Sequence, residues 1–206
     1  QFTPDVLPSD ILGFSMYNSQ TKEFEYKPGS VFCNLFLADE INRTSPKTQS
    51  ALLEVMEEGN VTVDGVTRKL PTPFTVIATE NPLGSAGTQM LPESQLDRFM
   101  VCLSMGYPSH EDAVEILKGN AAKPLSHVKE VISREEFADL QKQVSDLYVH
   151  EMIYGYITTL VEKTRESQFI SLGASPRGSI ALLRMAKANA FMNHRDYVSP
   201  EDVEEI

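Results

Sequence analysis

The chain has 206 residues, 41% hydrophobic and 23% charged, a balance ordinary for a soluble globular protein and enough for one large domain or two small ones. With 18 basic and 29 acidic residues the net charge is −11, which argues against a broad nucleic-acid or anionic-membrane surface. No apolar run approaches the ~18 residues a bilayer span needs, and the four histidines are scattered without metal-ligand spacing. Cys33 and Cys102 lie in apolar, strand-like runs and read as buried thiols of a reducing compartment. These features predict a cytoplasmic protein.

The chain opens on Gln1-Phe2-Thr3-Pro4 without an initiator Met, which reads as the end of a strand whose partners precede it. Residues 13–30 carry alternating aromatics, Phe24-x-Tyr26 among them, and close on Pro28-Gly29, predicting a hairpin or extended loop. Next, Val31-Phe32-Cys33-Asn34-Leu35-Phe36-Leu37-Ala38 runs apolar into Asp39-Glu40. A short run rich in Val, Leu and Phe reads as a strand buried on both faces, as in parallel sheets. Ser45 is a fitting N-cap with Pro46 at the first helical position, and Leu52, Leu53, Val55 and Met56 form an apolar face before a stop at Gly59. Asp64-Gly65 between alternating residues predicts a tight hairpin. Phe74–Thr79, ending in Glu80-Asn81-Pro82, reads as a second buried strand, and Phe99-Met100-Val101-Cys102-Leu103 as a third.

At Gly106-Tyr107-Pro108 the character changes. Beyond it the patterns are helical, over 109–119, 133–147, 151–165 and 176–191, with a last helix capped by Ser199-Pro200-Glu201-Asp202. An α/β domain over 1–107 and an all-helical domain over 108–206 are therefore expected.

Carboxylates at the C-terminal edge of a parallel strand lie where open α/β sheets bind ligands. One of the Asp39/Glu40 pair can hold Mg²⁺ while its neighbour polarises water, as nucleotide hydrolysis requires; a strand followed by a plain polar turn is an equal alternative. Asn81 beside a triphosphate orients the attacking water, or else it caps the turn before Pro82. Arg98, just ahead of an apolar run, serves as an arginine finger or pairs on the surface with Asp97 or Glu93. Arg177 stands in the first turn of a helix, where the dipole disfavours a cation, which hints at a phosphate partner; an ordinary capped helix start is the other reading.

The order and spacing of these signals are more specific than any one of them. The runs Leu35–Arg43, Gln49–Glu54, Val76–Pro82, Leu91–Phe99 and Gly173–Arg177 resemble the MoxR family of AAA+ ATPases, in the clade with an insert in its second helix. The resemblance implies an AAA+ P-loop-type parallel sheet with flanking helices, followed by a C-terminal helical lid. It implies ATP and Mg²⁺ as cofactors, with Asp39 as the Walker B metal ligand and Glu40 as the base that activates water. Asn81 matches sensor 1, Arg98 the arginine finger that reaches a neighbouring subunit's nucleotide, and Arg177 sensor 2. The hairpins at 13–30 and 61–70 match the helix-2 insert and the pre-sensor-1 hairpin, which engage a remodelled partner. By the same resemblance the protein forms a homo-oligomeric ring, a hexamer, acting on client proteins that often carry a von Willebrand factor A-type domain. Arg43 is left without a role, the subunit interface being one place for it.

One departure is large. The pattern Gly-x-x-x-x-Gly-Lys-[Ser/Thr], whose backbone N–H groups cradle phosphates, does not occur in these 206 residues. The family places it on a strand upstream of Gln1, central in the sheet between the second and third strands read above. The expectation is a truncation of an intact parent, with the catalytic and sensing half present, unable by itself to bind ATP tightly or hydrolyse it. Two other classes are weighed against this: a non-enzymatic interaction module, and a DNA-remodelling AAA+ relative. The net charge and the smallness of the Arg68-Lys69 patch count against the second.

Overall fold

A computed structural model of the chain describes residues 1–81, 90–119 and 128–206. The chain divides into two units, Gln1–Phe99 with Ser175–Gly178, and Met100–Ala174 with Ser179–Ile206.

In the first unit a short helix α1 (Pro8–Leu12) leads into strands β1 (Gly13–Asn18) and β2 (Glu23–Pro28), an antiparallel hairpin in which Ser15 faces Tyr26 and Tyr17 faces Phe24. Two glycines allow that hairpin to begin. Gly13 sits at φ 95°, and a Cβ on Gly29 would stand 2.1 Å from the Ile11 carbonyl oxygen. β3 (Leu35–Ala38) follows, then a 3₁₀ turn (Ile41–Arg43) and helix α2 (Pro46–Glu58). Helix α2 has the expected ends: the Ser45 hydroxyl accepts from the Thr48 N–H at 3.3 Å, and Gly59 closes it at φ 64°. β4 (Asn60–Val63) and β5 (Val66–Lys69) pair across Asp64-Gly65, whose φ of 53° and 74° are those of a type I′ turn. β6 (Thr75–Ala78) then returns parallel to β3, with Leu35 opposite Thr75 and Ala38 opposite Ala78. A four-residue helix α3 (Glu93–Leu96) completes the unit. Pro82, the expected turn after Asn81, lies outside the described residues.

The core is built on one face of this small sheet. Phe36 and Ala38 are buried against Phe2, Ile41, Leu52, Val55, Val61 and Leu91. The strand before Asp39 spans Leu35–Ala38 and is buried on one face only, with Leu35 and Leu37 each 61% exposed. β6 likewise turns Thr75 and Ile77 outward. Phe99–Leu103 forms no strand, and Val101, Cys102 and Leu103 are exposed, because a strand requires a neighbour to satisfy its N–H and C=O groups and none is present among the described residues. Hence Cys102 is an exposed thiol and not a buried one, while Cys33 is half-buried and burial pushes its thiol up from the ordinary cysteine value. At the opposite edge of β3 the Phe2 N–H donates to the Asp39 carbonyl at 2.8 Å; Gln1–Thr3 forms no regular strand.

The second unit contains helices α4 (His110–Leu117), α5 (Arg134–Asp146), α6 (Glu151–Glu166), most of α7 (Pro176–Met192) and α8 (Pro200–Glu204). The apolar stripe Ile153, Ile157 on α6 packs with Ala186 and Ala190 on α7 and Val203 on α8. Asp202, fully buried, receives the Arg195 guanidinium and closes a capping box with Ser199. Among the described residues no helix is long and apolar enough to cross a membrane.

Candidate nucleotide site

Thr79 organises the carboxylate turn. It follows β6 directly opposite Asp39, and its hydroxyl donates to Asp39 Oδ1 at 2.8 Å while accepting the Glu40 N–H at 2.9 Å. Its main chain is engaged as well, donating to the Ala38 carbonyl and accepting from Ile41, each at 3.0 Å. The two carboxylates thus sit at the C-terminal end of paired parallel strands, in a turn whose second residue, Glu40, adopts left-handed φ 54°, ψ 48°. A non-glycine residue holds that conformation only where its surroundings fix it. Here the fixing groups are the Thr79 hydroxyl and the ion pair from Arg43.

Arg43 Nη1 donates to Glu40 Oε2 at 2.7 Å, and Gln1 Nε2 donates to the same oxygen at 2.8 Å. Together, Arg43 first, these bonds hold the Glu40 carboxyl below the ordinary glutamate value; the Asn81 side chain adds to the same effect. Glu40 is therefore a carboxylate at neutral pH. Asn42, 1% exposed, grips the Asn81 main chain from both sides: its Nδ2 donates to the Asn81 carbonyl at 3.1 Å and its Oδ1 accepts the Asn81 N–H at 3.3 Å.

Arg98 and Arg177 form a second group. Arg98 Nη1 donates to Glu57 Oε2 at 2.6 Å, and Arg177 Nη2 donates to Glu57 Oε1 at 2.6 Å, with Nε adding a contact at 3.2 Å. Arg98 therefore pairs with Glu57 near the end of α2, and not with Asp97 or Glu93. Asp97 accepts instead from the Ser175 hydroxyl at 2.6 and 2.7 Å, and that hydroxyl accepts the N–H groups of Arg177 and Gly178, capping the start of α7. The Arg177 guanidinium, with Arg98 contributing, lowers the Glu57 carboxyl from its ordinary value.

An oxygen-donor carboxylate such as Asp39 suits Mg²⁺, which takes one or two protein carboxylates and completes its shell with phosphates and water. The described residues contain no group of three or more Asp, Glu, His or Cys that could cage an ion. The carboxylate turn fits a metal-bound phosphate, and the pattern Gly-x-x-x-x-Gly-Lys-[Ser/Thr] does not occur in these 206 residues.

The family model "ATPase family associated with various cellular activities (AAA)" matches residues 1–101, and the model "AAA lid domain" matches residues 162–206. The chaperone MoxR1 of Mycobacterium tuberculosis is 40% identical over the whole chain. The chain belongs to the MoxR family of AAA+ ATPases. The uncharacterised protein YeaC of Bacillus subtilis is 53% identical over 99% of the chain. A candidate ATPase of Cytophaga hutchinsonii, known from its crystal structure, superposes with a TM-score of 0.85 at 42% identity, covering all of this chain and 65% of that one. The chain spans 64% of the length of YeaC and 57% of that of MoxR1. Its α/β part and its helices correspond to the AAA+ core and lid fold.

In this MoxR-family chain the residues singled out from the sequence fall into two groups, Asp39, Glu40 and Asn81 in one and Arg98 and Arg177 in the other. The roles of Thr79, Asn42 and Glu57 emerge only in the structure. The first carries a usable signal, since a Thr opposite Asp39 in a parallel pair follows from the register. Glu57 carries none, being 41 residues from Arg98 and 120 from Arg177.

Proposed function

We propose that the chain is the catalytic and sensing portion of an ATP-hydrolysing chaperone that works as a homo-oligomeric ring, a hexamer, in the cytoplasm. The division of labour proposed is an AAA+ core over 1–107 and a lid over 108–206. The observation that carries the reading is the Thr79-organised turn, which presents an ionised Glu40 beside Asp39 at the end of the β3/β6 pair. Asp39 is the residue assigned to Mg²⁺, and Mg·ATP supplies the phosphoanhydride to be cleaved. Glu40 accepts a proton from the attacking water, and Asn81, held by Asn42, orients that water. Arg98 and Arg177 neutralise charge on phosphate oxygens. The exposed Phe14, Met16, Tyr17 and Phe24 of the β1–β2 hairpin give a client protein an apolar surface to meet. A client with a von Willebrand factor A-type domain is the partner expected; DNA is disfavoured by the charge of −11.

The test has two arms. Calorimetric titration of the 206-residue chain with Mg·ATP is expected to show no micromolar binding, since its sequence contains no Gly-x-x-x-x-Gly-Lys-[Ser/Thr] pattern. In a longer form of the protein that carries such a loop, Glu40→Gln is expected to abolish turnover while leaving nucleotide bound. Unchanged turnover would remove Glu40 from its role.

A further inference from the structure

Two guanidiniums meeting on one exposed carboxylate form an anion site that already contains its anion. Each Glu57 oxygen is taken by a different arginine, Oε2 by Arg98 and Oε1 by Arg177, both at 2.6 Å. Arg98 is further fixed by donating to the Leu53 carbonyl at 3.4 Å, and Arg177 by the Ser175 cap at the start of its helix. Asp97 accepts the Ser175 hydroxyl and stands farther off, 4.0 Å from Arg177, as a longer ion pair. All three members of the cluster are open to solvent, Glu57 38%, Arg98 30% and Arg177 49% exposed in their side chains, so a dissolved anion can reach them.

We propose that Glu57 is a resident stand-in for phosphate: it holds Arg98 and Arg177 together as a two-pronged phosphate clamp, and a terminal phosphate group displaces it. The chemistry of the exchange is direct. Guanidinium forks bind carboxylate and phosphate with the same geometry. A terminal phosphate carries up to two charges and a third oxygen, so it satisfies both arginines better than one carboxylate does. Glu57 is thereby a positioning residue. It prevents the two cations from repelling each other apart when no phosphate is present, and it sets a threshold that weak anions do not cross.

The inference rests on the reading that Arg98 and Arg177 contact phosphate, and its test separates the two. Tripolyphosphate is titrated calorimetrically into the chain at low ionic strength. Glu57→Gln is expected to bind it more tightly than the unaltered chain, on the order of fivefold, as removal of a competing exposed ion pair predicts. Glu57→Asp, which keeps the charge, is expected to restore the original affinity. Adding Arg98→Ala or Arg177→Ala to Glu57→Gln is expected to cancel the gain. If the arginine substitutions weaken binding but Glu57→Gln leaves it unchanged, the stand-in role is wrong and the phosphate reading survives. If the arginine substitutions have no effect in the Glu57→Gln background, or no variant binds, both fall. Circular dichroism melting of each variant checks that it is folded; should Glu57→Gln melt early, Glu57→Ala serves in its place.

Discussion

Asn42→Ala isolates the part of the candidate site that is built into the core. The Asn42 side chain is 1% exposed and makes two bonds to the Asn81 main chain, at 3.1 and 3.3 Å. Truncation removes both and leaves the Asn81 N–H and carbonyl without those partners. At about 1 kcal/mol for each neutral hydrogen bond, the loss is about 2 kcal/mol. For a unit of roughly a hundred residues, each kcal/mol moves the midpoint by about 4–8 °C, so the first unit's transition is expected to fall by about 8–16 °C. Urea denaturation followed by circular dichroism measures the free energy directly, and the second unit's transition serves as an internal control. Asn42→Asp sharpens the test. It keeps the acceptor but places a carboxyl where burial raises its pKa above the unfolded value. The charged form is then penalised in the fold, and stability is expected to recover as pH falls and the acid protonates. A loss below about 0.5 kcal/mol for Asn42→Ala, in the range of ordinary surface substitutions, would refute the view that Asn42 supports Asn81.

Asp202→Ala strips Arg195 of its partner and α8 of its cap, and is expected to cost the helical unit about 2–3 kcal/mol, read from its chemical unfolding. Burial pushes the Asp202 carboxyl up, but the Arg195 and Ser199 bonds outweigh it, so it lies below its ordinary 3.8; the stability it supplies is therefore full above about pH 4 and is lost as pH falls through the lowered value. An acid titration of the unaltered chain should show that loss, and Asp202→Asn should flatten it. Gly29→Ala places a methyl 2.1 Å from the Ile11 carbonyl oxygen, in backbone that cannot swing aside, and is expected to cost about 3 kcal/mol, checked by the melting midpoint.

What the sequence made legible was local. Ser45, Pro46 and Gly59 bracket α2 within a turn of their own positions, and Asp64-Gly65 sets its hairpin with two residues. Ser133 with Glu136, and Ser199 with Asp202, announce α5 and α8 in the same way. Burial of a strand is not a local property. An apolar run states that its side chains favour contact, not which elements provide it, so Leu35 and Leu37 read as buried while the structure leaves them 61% exposed. The run after Phe99 shows the same failure in its backbone, because hydrogen-bond partners belong to the neighbour and not to the strand.

The arginines show where local reasoning stops in the functional site. Beside Arg98 the sequence offers Asp97 and Glu93, both near enough in the chain to suggest a surface ion pair. In the structure Asp97 already receives the Ser175 hydroxyl that caps α7, and Arg98 turns to Glu57 on α2. That choice brings Arg177 to the same carboxylate. Arg98 and Arg177 suggest phosphate ligands on separate sequence grounds, a cation ahead of an apolar run and a cation at the wrong end of a helix dipole. Their convergence on one anion ties the two readings together. Each guanidinium needs a dense negative charge, and the closest one, the Glu57 carboxylate at 2.6 Å, is shared by both, with Asp97 4.0 Å from Arg177. A site that shares a single anion between two cations is the arrangement that gains most when a phosphate replaces it, which makes Glu57 the residue by which the phosphate reading of both arginines can be tested at once.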